Sequence, residues 1–178
     1  MSPVAGPLFA AALVLGAAGV AKSIRPDAAR VALRSAGLPG HRWFVRLIGA
    51  GEIAIAAYGL GQGGRFGAGS IAAAYLAFAL FAAVVQRRSR GQASCGCFGS
   101  SSAPVGTLHV VVNVAVAAGA AVAMVDPTPG IGRVAVDTPL AGVPFVAFTA
   151  LLAWLLQVLL TAVPELQAAH RPPTRITP

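Results

Sequence analysis

Long apolar runs, separated by short polar or basic stretches, set the pattern of the chain. Five runs are long enough to cross the roughly 30 Å of bilayer hydrocarbon as helices. They cover about residues 3–21, 43–61, 66–86, 104–125 and 140–163. The pattern therefore predicts an all-α polytopic membrane protein, with a four-helix transmembrane bundle and a fifth, C-terminal transmembrane helix.

The segments between these runs predict little structure outside the membrane. Pro26 is placed to begin a short helix and Gly37 to end it, and the arginines of this stretch predict a basic helix on the membrane surface over about residues 26–37. The segment before the fifth run is rich in proline and glycine and is predicted to be a loop. Residues 1–163 thus form a single transmembrane domain, and the tail, 164–178, is expected to be disordered.

The composition indicates a bilayer rather than water as the main solvent. Apolar residues make up 57% of the 178 residues and charged residues 10%, whereas soluble domains carry charge on about a quarter of theirs. The net charge of +8 does not indicate a nucleic-acid partner. The basic residues flank apolar runs, and no soluble basic face with interleaved aromatic residues accompanies them.

Lysine and arginine are distributed unequally between the two sides of the predicted bundle. Eleven lie in the stretches 22–46 and 87–90 and in the tail, whereas two, Arg65 and Arg133, lie on the other side. Because basic loops stay in the cytoplasm, the chain is predicted to be a multi-pass plasma-membrane protein. Its N-terminus would be outside, and its C-terminus and the loop between the third and fourth runs would be cytoplasmic.

That loop contains the only two cysteines, Cys95 and Cys97, separated by Gly96. Residues i and i+2 of a helix point in different directions, so the two thiols can meet only in a turn, which Gly96 permits. A disulfide across so small a ring would be strained and easily exchanged. The arginines before the loop and the helix that begins after it would favour thiolate, which is both a redox nucleophile and a ligand for soft metals.

Three polar side chains lie within the predicted spans. Glu52 is the only acid there, and because a lone carboxylate in the membrane is costly, it is expected to be protonated, paired or functional. His109 and Asn113 are four residues apart and share one face of the fourth helix. His109 could pass a proton to or from a thiol, and all three residues could hydrogen-bond a quinone. The alternative is that they form interhelical hydrogen bonds that hold the bundle together.

Four sequence features together resemble the MauE/DoxX group of membrane proteins. They are a first run ending in Gly-Val-Ala-Lys22, the Pro26 helix, the second-run sequence Gly-Ala-Gly-Glu52 and the loop sequence Ser-Cys95-Gly-Cys97-Phe-Gly99. The resemblance covers about residues 5–125. It implies a redox-associated membrane protein linked to disulfide handling during maturation of methylamine dehydrogenase, beside a thioredoxin-like partner. The scheme is similar to that of quinone-linked DsbB or vitamin K epoxide reductase proteins, although this chain has no second cysteine pair.

These features favour a membrane thiol-disulfide oxidoreductase. Cys95 and Cys97 would relay electrons between a thiol partner, such as a thioredoxin-like protein or a small thiol, and a lipid-soluble acceptor such as a quinone. In this hypothesis Cys95 attacks, Cys97 resolves and His109 assists proton transfer. Two alternatives stay open. The cysteines could bind or transport a soft metal of the copper or mercury type, or the chain could be a non-enzymatic subunit that docks a thioredoxin-like partner.

Overall fold

The computed structural model describes residues 4–89, 105–137 and 139–169. Within these ranges the chain is helical and forms no named strand, which confirms the predicted all-α class. The helices are α1 (Ala5–Ile24), α2 (Asp27–Ser35), α3 (Arg42–Gly61), α4 (Gly64–Ser89), α5 (Thr107–Val122), α6 (Ile131–Asp137) and α7 (Pro139–Ala169).

Helices α1, α3 and α4 and the Gly142–Val163 part of α7 are long and apolar enough to cross a membrane. Helix α5 is also apolar but has only 16 residues, so it is about 24 Å long and shorter than the predicted fourth run. Helix α5 ends at Val122 and a turn follows it. Asp126 and Pro127 come next in the chain and prevent the helix from resuming. The chain is therefore a multi-pass membrane protein.

The bundle has two chemically different ends. We call the end that carries α2, the last turns of α1 and α4 and the first turns of α3 and α5 the basic end. Helix α2 is fixed there by the Arg88 guanidinium of α4, which donates to the Ala36 carbonyl at 2.8 Å. At the opposite end, the Gly64 amide donates to the Thr128 carbonyl at 2.8 Å and joins the α3–α4 turn to the segment after α5.

Helices α1, α3, α4 and α5 share one core, which is built largely from alanine. Small side chains allow transmembrane helices to approach closely, so van der Waals contact can hold them together where lipid removes the hydrophobic driving force. The Tyr75 hydroxyl of α4 satisfies its hydrogen-bonding needs inside this core by donating to the Ala11 carbonyl of α1 at 2.8 Å. These four helices form the predicted bundle.

Helix α7 packs on the outside of this bundle, mainly against α1. The Phe9 and Phe145 rings meet edge to face, with their centroids 6.1 Å apart, while Phe148 and Trp154 are exposed toward the lipid. The helix continues to Ala169, six residues beyond the predicted end of the span, because residues 165–169 are strong helix formers with no glycine or proline. The rest of the predicted disordered tail lies outside the described residues.

Helix α2 is amphipathic, as the sequence predicts for a helix on the membrane surface. Its buried side is formed by Ala29, Ala32 and Leu33, and Gly37 ends it with a φ of +75° that favours glycine. At its first residue, the hydrogen bond from Arg30 lowers the pKa of the Asp27 carboxyl. This acid therefore stays ionised among the arginines of the basic end.

Helix α6 corrects the prediction that the segment before the fifth run is a loop. Of the residues that indicate a loop, Pro127, Pro129 and Gly130 precede α6 and Pro139 follows it, whereas Gly132 lies inside the helix. Val134 is buried with Ala5 and Phe9 of α1. This tertiary contact stabilises a helix that is too short to be stable alone.

Candidate functional site

A buried ion pair joins the last turn of α1 to the middle of α3. The Lys22 ammonium donates to Glu52 Oε2 at 2.8 Å, and the two residues are only 7% and 4% exposed. Of the three expectations for Glu52, that it is protonated, paired or functional, the structure shows the pairing. The sequence pattern puts Lys22 at the boundary between the first run and the basic stretch, and the structure places it in the last turn of α1, which continues to Ile24.

Two glycines bring the helices of this pair together. A Cβ atom on Gly19 of α1 would lie 2.6 Å from the Gly49 carbonyl oxygen, and a Cβ atom on Gly49 of α3 would lie 2.7 Å from the Gly19 carbonyl oxygen. Each glycine precedes its charged residue by three positions, so each pair lies on one helical face. This matched spacing of Gly19 with Lys22 and of Gly49 with Glu52 is a sequence signal that could have identified the ion pair.

The surroundings of the ion pair are apolar. The Lys22 ammonium lies 5.2 Å from the centroid of the Phe78 ring of α4, a distance at which the ring face attracts a cation. The second carboxylate oxygen, Glu52 Oε1, is buried and has no hydrogen-bond partner among the described residues. Burying two charges away from water costs several kcal/mol per ion before their mutual attraction is counted, so a pair in this position is a candidate functional group.

A cavity of about 300 Å³ lies beside the pair at the basic end. Helices α1, α2, α3 and α4 all contribute to its wall, which is otherwise apolar and in part aromatic and in which Lys22 is the one charged residue. The aromatic side chains are those of Phe44, Phe78 and Phe81. Apolar walls with one polar group are typical of small-molecule sites, and the sequence analysis missed this cavity because it is formed by helices that are distant in sequence.

Cys95 and Cys97 lie outside the described residues, but the chain on either side of them is described. Val85 of α4 and Val105 before α5 pack together in one buried cluster, and Gln86 Nε2 donates to Thr107 Oγ1 at 3.1 Å. The segment 90–104 therefore leaves and rejoins the bundle at the basic end. This is the end that contains the cavity and the Lys22–Glu52 pair.

His109 and Asn113 are both buried on α5, but neither lines the cavity. His109 Nδ1 accepts from the Gly106 amide at 3.4 Å, and the imidazole lies close to the Leu160 backbone of α7. Asn113 Nδ2 donates to the His109 carbonyl at 2.6 Å. Both hydrogen bonds are local to the start of α5, so neither is the interhelical hydrogen bond of the structural alternative, and neither residue lies in the wall of the cavity beside Lys22.

Within residues 4–89, 105–137 and 139–169, no group of three or more histidine, cysteine, aspartate or glutamate side chains could hold a metal ion. Cys95 and Cys97, the residues of the soft-metal alternative, lie outside these ranges.

Comparison with known proteins identifies the family. The family model described as methylamine utilisation protein MauE matches residues 3–126, well over half of the chain. The matched region includes the Lys22–Glu52 pair, the cavity and the segment with both cysteines, and it ends before α6. No curated protein and no solved structure matches the chain. The chain belongs to the MauE family.

Proposed function

We propose that this membrane protein is a thiol-disulfide oxidoreductase that passes electrons from a thiol partner to a lipid-soluble acceptor. The observation that supports this best is that segment 90–104, which contains Cys95 and Cys97, is attached by both ends to the end of the bundle with the apolar cavity. A thiol pair in a loop can meet a partner in water. A cavity among lipid-facing helices can receive a molecule from the membrane.

The proposed reaction has two steps. First, two thiols of the partner lose two electrons and two protons and become a disulfide, while the Cys95–Cys97 disulfide is reduced to two thiols through a mixed disulfide. Second, the two cysteine thiols form the S–S bond again, and a quinone takes up the two electrons and two protons and becomes a hydroquinone. The protein thus ends in its starting state.

Cys95 is proposed as the sulfur that forms the mixed disulfide: a partner thiol attacks it in the direction written, and in the reverse direction Cys95 is the attacking thiol and Cys97 the resolving one. His109 is the proposed proton carrier, and its Nδ1 already accepts a hydrogen bond from the Gly106 amide. Glu52 and Asn113 remain candidates for hydrogen-bonding the acceptor. Membership of the MauE family supports a role in methylamine utilisation, where the thiol partner would be a thioredoxin-like protein or the enzyme that is being matured.

The cysteine pair provides the direct test. After equilibration in thiol buffers of defined potential, alkylation with a mass tag and intact-mass measurement should show a reversible two-electron conversion between dithiol and intramolecular disulfide. With the oxidised, disulfide form of the partner, the Cys97→Ser variant should accumulate a mixed disulfide through Cys95, because Cys95 can attack the partner disulfide but the Cys97 thiol that would release the partner is missing. The Cys95→Ser variant is the matched control.

Other outcomes would support the alternatives. If both cysteines stay reduced over the whole range of potentials and the single variants trap no partner, the oxidoreductase proposal is wrong. If, in addition, one equivalent of Cu(I) or Hg(II) protects both thiols from alkylation, a soft-metal site replaces it.

We propose that the protein is oriented in the plasma membrane with its N-terminus outside and the basic end in the cytoplasm. The described arginines of α2 and of the ends of α3 and α4 are concentrated at this end, whereas Arg65 and Arg133 lie at the other.

In intact cells, a membrane-impermeant maleimide should leave Cys95 and Cys97 unlabelled until the membrane is permeabilised. Cysteines introduced at Arg133 and Arg25 are matched controls for the outer and inner sides. Labelling of the native pair in intact cells would reverse the orientation.

A further inference from the structure

The cavity at the basic end has the properties of a binding site for a small apolar molecule. Its volume of about 300 Å³ lies at the lower end of the usual range for ligand pockets. Three phenylalanine rings contribute to its wall, from α3 and α4. A flat ring can stack against such side chains or meet them edge to face, so the shape and chemistry of the wall favour a ring compound.

Lys22 is the one residue of the cavity wall with a charged hydrogen-bond donor, and because nearly all of the wall surface is apolar, only a small part of its ammonium reaches the cavity. An ammonium group has three N–H donors, and in the described part of the chain Lys22 makes one hydrogen bond, to Glu52. The side chain is 7% exposed and forms part of the cavity wall. A buried donor with unused N–H groups is stabilised by an oxygen acceptor, which a ligand in the cavity would supply.

The charge of the site selects an uncharged ligand. Lys22 and Glu52 together are neutral, so an anion in the cavity would leave one uncompensated negative charge in apolar surroundings, and a cation would leave a positive one. A neutral carbonyl oxygen, by contrast, accepts a hydrogen bond from Lys22 without changing the net charge. The ligand is therefore expected to be an apolar ring compound with a carbonyl group.

We propose that this cavity binds the ring of a membrane quinone, with one quinone carbonyl accepting a hydrogen bond from Lys22. The inference rests on the proposed function, because it identifies the lipid-soluble acceptor and its site. As the quinone takes up electrons, negative charge develops on its oxygens, and the Lys22 ammonium would stabilise that charge. Glu52 is a positioning residue, since it holds the ammonium at the cavity wall through its hydrogen bond.

Tryptophan fluorescence gives a binding assay that needs no thiol chemistry. The chain has two tryptophans: Trp43, whose ring centroid is 5.8 Å from that of the cavity residue Phe44, and the lipid-facing Trp154. In a full-length Cys95→Ser, Cys97→Ser, Trp154→Phe background, Trp43 is the sole reporter. Titration with a short-chain benzoquinone in detergent micelles should quench its fluorescence with a saturable curve.

Two changes should weaken this binding. Ala77→Phe places a ring in the cavity from the exposed face of α4 and leaves the ion pair intact, so the apparent affinity should fall at least tenfold. Ala73→Phe, one turn earlier on the same helix and outside the cavity, is the matched control and should bind like the parent. The double variant Lys22→Met, Glu52→Leu removes the donor without leaving an unpaired charge, and it should bind roughly ten- to a hundred-fold more weakly.

Each opposing outcome can be recognised. The inference is wrong if Ala77→Phe binds the quinone as tightly as Ala73→Phe, or if quenching is linear and equal in a protein that retains only Trp154, because the quinone then only dissolves in the micelle. It is also wrong if decanoate, an anion, binds with the same dependence on Ala77 and the quinone does not bind. The proposed function fails separately, when the cysteines of the parent show no reversible disulfide although the quinone binds.

Discussion

Glu52→Lys is expected to prevent accumulation of folded protein. The new ammonium would lie where the carboxylate now lies, 2.8 Å from that of Lys22, and two like charges would then be buried in a transmembrane bundle. Removing one partner of a buried ion pair costs about 3–5 kcal/mol, and reversing its charge costs more. Size-exclusion chromatography and thermal unfolding in mild detergent measure the effect.

A charge exchange separates the pair from its individual residues. Lys22→Glu combined with Glu52→Lys restores one acid and one base at the same contact and should recover much of the folded protein. Glu52→Gln should remain folded with reduced stability, because the amide still accepts a hydrogen bond from Lys22 but no longer compensates its charge. If Glu52→Lys alone expresses and melts like the parent, the carboxylate is not buried against Lys22.

Gly49→Ala is expected to destabilise the protein strongly although it adds a single methyl group. That methyl would lie 2.7 Å from the Gly19 carbonyl oxygen and 2.8 Å from Ser23 Oγ, and the carbonyl belongs to a helix backbone that cannot move aside alone. Overpacking of this kind costs about 1–3 kcal/mol. It should also separate α1 from α3 and so lengthen the Lys22–Glu52 contact.

Gly51→Ala is the matched control on the same helix. A Cβ atom there would meet nothing within 4 Å, and replacing glycine by alanine in a helix stabilises it by up to about 1 kcal/mol. Thermal unfolding of the two variants in the same detergent should therefore shift in opposite directions. Equal shifts would mean that the contact between α1 and α3 is looser than the structure has it.

The apolar runs predict the membrane-spanning helices because length and composition alone decide whether a helix can cross a bilayer. The same reasoning places Lys22 at a membrane boundary, since a lysine after a long apolar run usually marks the end of a span. Its actual position depends on Glu52, thirty residues away. Such pairing is a property of how α1 and α3 pack, and hydropathy carries no information about it.

Other features depend on tertiary contacts to a similar degree. Helix α6 is stabilised by the burial of Val134 against α1, a tertiary contact that the composition of the segment does not show. Spacing puts His109 and Asn113 on one face of α5, but it does not show that this face meets α7 rather than Glu52. The cavity requires four helices at once, and a single sequence gives no sign of it.

The attachment of segment 90–104 at both ends limits where its thiols can go. Cys95 lies six positions after Ser89, the last residue of α4, and a chain of that length spans at most about 20 Å even when fully extended. Whatever the conformation of the segment, Cys95 stays tethered within that radius of the end of α4.

A molecule held in the cavity would meet the tethered thiol at an effective concentration in the millimolar range or above. A partner protein free in solution would have to reach the same thiol by diffusion. In the proposed reaction, reoxidation by a bound acceptor would therefore not depend on diffusion, and encounter with the thiol partner would limit turnover when that partner is scarce.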